Sequence, residues 1–463
     1  MTAVAAGSAL EALRAAIRGD VIGADDPRYD EARAVNNGMV DKRPALIVRC
    51  VDVADARAAL AYGRAEGLDI AIRGGGHSAA GQGTVDNGLV IDLSRMKWVR
   101  VDPATSTVVV GAGCTLGDVD HATHTFGLAV PIGVLGTTGI AGLTLGGGTG
   151  HLTRRYGLAI DNLLEVDMIL ADGSVVRASA DENQDLFWAL RGGGGNFGIV
   201  TGLMFRAHHQ PTVVAGPTLW PIEQAADAMR FYRDFMADAP DEMNGFFAFL
   251  TVPPGPPFPE ELHGKIMCGV VWCYTGDSAG ADAAFAPVRA FGPPALDGIG
   301  ELPLPAIQGA FDPLYPAGLQ QYWRADYVSE LSDDAIAVYV EHGASLPTPL
   351  SSMHLYPIDG AASRVGKGDT AWSYREAKWA QVIFGVDPDP AKAELLRSWT
   401  IDYWEAVHPY AASGGGGYVN FMGAGSEDRV RAAYRDNYDR LAKIKGTYDP
   451  DNVFHVNWNI KPE

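Results

Sequence analysis

The sequence predicts an α+β protein built in two units. Three observations carry this reading. Helix-like and strand-like patterns interleave between residues 43 and 96 instead of falling in separate blocks. Residues 111–201 hold repeated glycine clusters, flanked by apolar strand-like runs over 166–170 and 199–205. Near His208 glycine thins out, and proline and aromatic residues rise as far as Ala411. At 463 residues the chain exceeds one ordinary core, so a second unit is expected on length as well.

Taken in order, residues 1–20 are Ala-rich with spaced charges and read as an amphipathic helix, not as a leader peptide. Strands are expected over 45–48, 68–72 and 88–93, with a helix over 53–66 opened by Asp52 and closed by Gly67. Residues 98–101 and 107–110 form a hairpin around Asp102-Pro103. Beyond residue 208, strands are expected over 219–221, 245–252, 265–274, 352–356 and 379–384. Helices are expected over 222–237, 333–342 and 390–407; one over 281–290 is weakened by Pro287 inside it. A helix over 427–445 precedes a last strand-like run to Ile460.

Composition excludes several function classes. A formal net charge of -20 argues against nucleic acid and against anionic membrane surfaces. The four cysteines (Cys50, Cys114, Cys268, Cys273) are too scattered for a disulfide scaffold or a zinc site. His121 and His124 stand three apart on a helical stretch without a partner ligand, so no metal is expected. No run of about 18 apolar residues exists, so no spanning helix is expected, and a cytoplasmic location is the default. Gly193-Gly194-Gly195-Asn196-Phe197-Gly198 matches the dinucleotide G-x-G-x-x-G pattern, but a strand-like run follows it where that pattern requires a helix.

The stretch with the most chemistry is Arg73-Gly74-Gly75-Gly76-His77-Ser78, directly after a strand. Its glycines let the backbone turn sharply and approach a ligand closely. Successive N–H groups in such a turn form an anion-binding nest, and Arg73 adds positive charge. A glycine-rich surface turn with an incidental histidine fits the hexapeptide equally well.

Further segments complete a pattern: Gly88-Leu89-Val90-Ile91-Asp92-Leu93-Ser94; residues 142–150; Tyr156-Gly157-Leu158 with Asp161-Asn162; residues 185–201; Gly417-Tyr418-Val419-Asn420-Phe421; and Tyr448-Asp449-Pro450-Asp451-Asn452 with Asn457-Trp458-Asn459-Ile460. Together with the hexapeptide they resemble the berberine-bridge-enzyme-like branch of the vanillyl-alcohol oxidase and p-cresol methylhydroxylase superfamily of FAD-dependent oxidases. The resemblance covers both ends of the chain and is weak over 210–345.

It implies a two-part FAD-binding domain (PCMH-type) over 1–208, a substrate-binding domain with an antiparallel sheet covered by helices over 209–415, and a return to the first domain over 416–463. It implies FAD bound covalently through His77. The second tether of some relatives is a cysteine, and its position here is Leu135, so a single bond is expected. Gly74, Gly75, Gly76 and Ser78 are expected to meet the pyrophosphate by their backbone, and Gly142, Gly146 and Ile199 to line the adenine, ribose or ring. Arg73, Gln82, Gly139, Asn457 and Asn459 complete the cofactor set. Thr138 takes the place of a residue that governs access of O2.

Tyr418 is the expected base, sharing one face of a strand with Asn420. A tyrosine near its ordinary pKa of about 10 is a poor base. Arg375, Lys378 or His354 is therefore expected beside it, and His354 is itself a catalytic candidate. Phe247, Phe249, Trp372 and Tyr374 are candidates for a substrate wall. The implied activity is oxidation of an alcohol or amine on a small metabolite by a monomer or homodimer, with O2 reduced to H2O2. Two alternatives stay open: a flavin dehydrogenase with another acceptor, and a flavoprotein that binds ligand without turnover.

Overall fold

A computed structural model describes residues 2–463 apart from Ala424 and Ser426. Its first sheet holds β1 (Asp20–Gly23), β2 (Leu46–Arg49), β3 (Ile70–Arg73) and β4 (Leu89–Asp92) in the order β1-β2-β4-β3. β2, β4 and β3 run parallel, and β1 is antiparallel to β2. The crossover from β2 to β3 is the helix Val53–Ala65, whose Asp52 side chain caps the Asp55 N–H. Parallel strands buried on both faces read as continuous apolar runs, which is why these three are legible from sequence.

The second sheet is antiparallel: β5 (Val99–Asp102), β6 (Thr107–Gly111), β7 (Leu163–Ile169), β8 (Val175–Ser179) and β9 (Ile199–Arg206), in the order β5-β6-β9-β7-β8. The glycine clusters lie in the turns between these strands. One core runs through both sheets and takes in Tyr434, Leu441, Phe454 and Ile460 from the end of the chain.

The largest sheet is antiparallel and eight-stranded among the described residues. Its long members are β10 (Thr212–Pro221), β11 (Met243–Thr251), β12 (Ile266–Tyr274), β13 (Gln320–Val328), β14 (Ser352–Pro357) and β15 (Trp379–Asp387). They lie in the order β10-β12-β11-β14-β15-β13. The helices Ala225–Asp238, Asp333–Gly343 and Ala393–Val407 cover one face. The helix Ala281–Ala290 forms with Pro287 inside it, and its Phe285 and Val288 are buried in the same layer. No helix is long and apolar enough to cross a membrane among the described residues.

Four expectations need correction. β13 carries no strand expectation, because Gln320, Gln321, Arg324 and Asp326 interrupt its apolar pattern. Buried Asp326 is held there by the His408 ring at 2.9 Å. Tyr418 and Asn420 do not lie on a strand; residues Val419–Phe421 form a 3-10 turn. The tail is two helices, Glu427–Tyr434 and Tyr438–Tyr448, and the run to Ile460 pairs with no strand. Phe247 and Phe249 face the helix layer, while Phe246 and Ala248 face the opposite side. On a strand a one-residue difference reverses the face.

Candidate active site

A long cleft begins at the end of β3 and runs to the face of the largest sheet opposite the helix layer. Arg73, Gly74, Gly75, Gly76, His77, Ser78 and Gln82 all line it. Backbone contact explains the glycines. A Cβ on Gly75 would stand 2.3 Å from the Gly139 nitrogen, so the 74–77 and 138–142 turns touch main chain to main chain. Gly76 has φ +69, a conformation that disfavours any side chain. Ser78 Oγ accepts the Gln82 N–H at 3.3 Å and closes the turn.

Arg73 does not supply free charge to this turn. It is 6% exposed and donates to Asp92 Oδ2 at 2.8 Å and to the Ala32 carbonyl at 2.6 Å. The positive charge is held within the sheet by Asp92, which Arg49 also approaches at 3.5 Å, and the pair ties β3 to β4.

His77 is half-buried on the cleft wall, with Nδ1 3.5 Å from Thr138 Oγ1 and Nε2 3.4 Å from Asn36 Nδ2. Burial pulls its pKa down to about 4. At neutral pH the ring is therefore uncharged, and one nitrogen keeps its lone pair. Leu135 also lines the cleft, and none of the four cysteines does. Gly139, Gly142 and Gly146 also line it. A Cβ on Gly142 or Gly195 would meet nothing within 4 Å, so both leave a flat, open cradle facing the cleft. A Cβ on Gly146 would meet Asn420 Oδ1 at 2.1 Å, so this glycine makes room for Asn420.

Tyr418 lines the cleft, and its oxygen accepts from the Gly148 N–H at 2.7 Å and from Asn420 Nδ2 at 2.7 Å. Burial pushes its pKa up to about 12, against the lowering effect of these donors. The expected charged neighbours are elsewhere. Arg375 is paired with Asp161 at 2.7 Å, Lys378 lies over the Trp379 ring, and His354 Nδ1 bonds the Tyr356 hydroxyl at 2.8 Å. Two neutral N–H donors stand where a cation is expected.

His354, Ile199 and Asn459 are not on the cleft wall. Ile199 is in the core below it, where Gly198 and Val200 face the cleft. His354 stands behind Tyr356, which does face the cleft. Asn457 lines it, with buried Oδ1 unpartnered; Asn459 Oδ1 is likewise buried and unpartnered. Trp372 and Tyr374 pack with Tyr327 beside the cleft. Trp323, Tyr356 and Phe421 form its outer wall, and sequence reasoning missed them as site residues. Only the period-two pairing of Tyr356 with His354 hinted at one of them.

Two family models match: an FAD binding domain over residues 44–179, and "Berberine and berberine like" over residues 417–461. The chain is 30% identical over 456 residues to the FAD-linked oxidoreductase YgaK of Bacillus subtilis, covering 96% of this chain and 97% of that protein. The chain belongs to the berberine-bridge-enzyme-like family of FAD-linked oxidases. It is also 30% identical over 475 residues to (R)-6-hydroxynicotine oxidase of Paenarthrobacter nicotinovorans, covering 96% of this chain and 97% of that one. The crystal structure of 6-hydroxy-D-nicotine oxidase from Arthrobacter nicotinovorans superposes with a TM-score of 0.86 at 26% identity, over 96% of this chain and 98% of that one. A xylooligosaccharide oxidase of Myceliophthora thermophila, solved with xylobiose, shares the fold with a TM-score of 0.84 at 24% identity, over 98% of this chain and 99% of that one. As a family member the protein is an FAD-linked oxidoreductase, and its cradle fits FAD: the Cβ-free surfaces of Gly142 and Gly195 suit a flat ring system, and the 74–78 turn suits a pyrophosphate.

Proposed function

We propose that this protein is an oxidase whose FAD is held by one covalent bond, from His77, and that it oxidises an alcohol or amine carbon of a small metabolite. The observation that carries the reading is the placement of uncharged His77 and donor-bound Tyr418 on the walls of one cleft. When bound there, FAD accepts a hydride from the substrate carbon and passes the electrons to O2, giving H2O2.

The chain's own residues do the rest. Gly74, Gly75, Gly76 and Ser78 hold the pyrophosphate by their N–H groups, and Asn457 offers a further polar contact. His77 would hold the FAD 8α carbon through its lone-pair nitrogen in place of one hydrogen, which leaves as a proton while the two electrons released go to O2; with Leu135 in the cleft and every cysteine outside it, no second tether is expected. The phenolate form of Tyr418, a minority species at neutral pH because burial raises its pKa to about 12, takes the proton from the substrate O–H or N–H. Its phenolate is stabilised by the Gly148 N–H and by Asn420 Nδ2, which donate to the oxygen that gains charge. Thr138, beside His77, borders the path of O2.

The test is a denaturing gel viewed for flavin fluorescence, wild type beside His77→Ala. A fluorescent wild-type band and a dark variant band are expected; a dark wild-type band refutes the covalent bond. Stopped-flow mixing of reduced enzyme with O2 separates oxidase from dehydrogenase, and very slow reoxidation would point to another acceptor.

A further inference from the structure

The outer wall of the cleft has a chemistry of its own. The rings of Tyr418, Phe421 and Tyr356 line it in turn, with centroids 4.8 and 5.4 Å apart, and buried Phe246 backs Tyr356 at 4.7 Å from outside the lining. Trp323 adds a further edge, 6.1 Å from Phe421. Val134 and Leu135 face this wall from the turn beside Thr138. Among the described residues lining the whole cleft, Arg73 is the one permanently charged side chain, and it is paired at the far end with Asp92, which Arg49 also approaches at 3.5 Å.

Polar groups at the outer end are few. Besides Tyr418 and Asn420, the wall holds the Tyr356 hydroxyl, bonded to His354 Nδ1 at 2.8 Å, and the buried Trp323 Nε1, which has no partner among the described residues. His354 is buried on the face that Phe246 and Phe384 cover, with ring centroids 5.0 and 4.9 Å away. That burial keeps it uncharged, with its pKa drawn down to about 3. In either tautomer the His354–Tyr356 bond leaves a further valence of the Tyr356 oxygen. Tyr356 lines the cleft, whereas His354 does not.

We infer that the substrate is a neutral aromatic compound carrying a hydroxyl group, stacked between Trp323, Phe421 and Tyr356, and that Tyr356 contacts its polar substituent while His354 positions Tyr356. This rests on the proposed oxidase reading and names its substrate class. A saccharide would bring many hydroxyls against a wall with few partners, each left unpaired at a cost. An ammonium or carboxylate group would find no opposite charge. Aromatic faces favour offset or edge contacts with another ring, which is what this wall presents.

The test is equilibrium dialysis of the purified flavoprotein against four probes: 2-naphthol, naphthalene, xylobiose and benzylammonium. Both naphthalene-type probes are expected to bind, with xylobiose and benzylammonium unbound at ten times the concentration. Tyr356→Phe is expected to weaken 2-naphthol about tenfold and leave naphthalene unchanged. His354→Leu should act in the same direction, and His354→Gln should recover most of the loss. Tighter binding of xylobiose than of 2-naphthol, or equal weakening of both aromatic probes by Tyr356→Phe, overturns the inference. A separate arm mixes the enzyme anaerobically with 1-(2-naphthyl)ethanol and follows the flavin absorbance. Bleaching supports the aromatic wall and oxidation of an alcohol carbon by the flavin; naphthol binding without bleaching keeps the aromatic wall and counts instead against alcohol oxidation at this site.

Discussion

In the proposed reaction Asn420 sets the basicity of Tyr418, so removing its side chain is expected to give a measurable shift. Its Nδ2 carries two hydrogens. One goes to the Leu143 carbonyl at 2.8 Å, a group that only accepts, so the amide nitrogen must face inward. The second then goes to the Tyr418 oxygen at 2.7 Å. A hydrogen bond to an ionised oxygen is worth about 1.5–3 kcal/mol. At about 1.4 kcal/mol per pKa unit, Asn420→Ala raises the Tyr418 pKa by about 1–2 units above its already elevated value. Below both values the phenolate fraction falls about 10–100-fold, and the rising limb of kcat/KM moves to higher pH by the same 1–2 units, roughly. The assay is anaerobic flavin reduction by substrate, followed from pH 6 to 11 by stopped flow. Tyr418→Phe serves as the reference: it should lose about 10²–10⁴-fold and its pH dependence together. Both pKa values, wild type and Asn420→Ala, lie above this pH range, so the two profiles should run parallel with the variant lower; if Asn420→Ala is as fast as wild type throughout, Asn420 only packs against Gly146, and the reasoning fails.

Two further outcomes are expected. Gly75→Ala puts a methyl group 2.3 Å from the Gly139 nitrogen, so the two cofactor turns separate and the purified protein should carry less flavin, read from its ratio of 450 to 280 nm absorbance as about half or below. Normal loading would show that the turns yield without cost. His151 and His354 are buried and held neutral, with pKa values drawn down to about 4 and about 3. The unfolded chain binds their protons at about 6.5, so their contribution is complete above that value and is lost as pH falls toward 3–4, at roughly 1.4 kcal/mol per pH unit for each. Thermal melting between pH 7 and 4 should therefore fall less steeply in a His151→Gln, His354→Gln double variant than in wild type; parallel slopes would refute it.

Much of this protein was legible in one dimension. Parallel strands buried on both faces leave unbroken apolar runs, so β2, β3 and β4 stand out, and Asp52 marks its helix start. The glycine turns were legible because main-chain contact tolerates no Cβ, a constraint that must be written into sequence; Gly75 and Gly139 show it. The placement of His77 and Tyr418 on one cleft wall followed from motifs at both ends of the chain. What only the tertiary structure decided is where charges and faces end up. Arg73 looks like a ligand for phosphate until Asp92, 19 residues on, is seen to hold it. Arg375 and His354 look like neighbours of Tyr418 until their pairing with Asp161 and Tyr356 is known. Phe246 and Phe247 are indistinguishable by composition, and only the register of β11 against β14 sends one to the cleft side and the other under the helices. Local backbone constraints leave local marks, whereas charge pairing and strand facing depend on residues far apart in sequence. The sequence therefore determines the turns and the cofactor loop, and the fold alone decides which side chains meet the substrate.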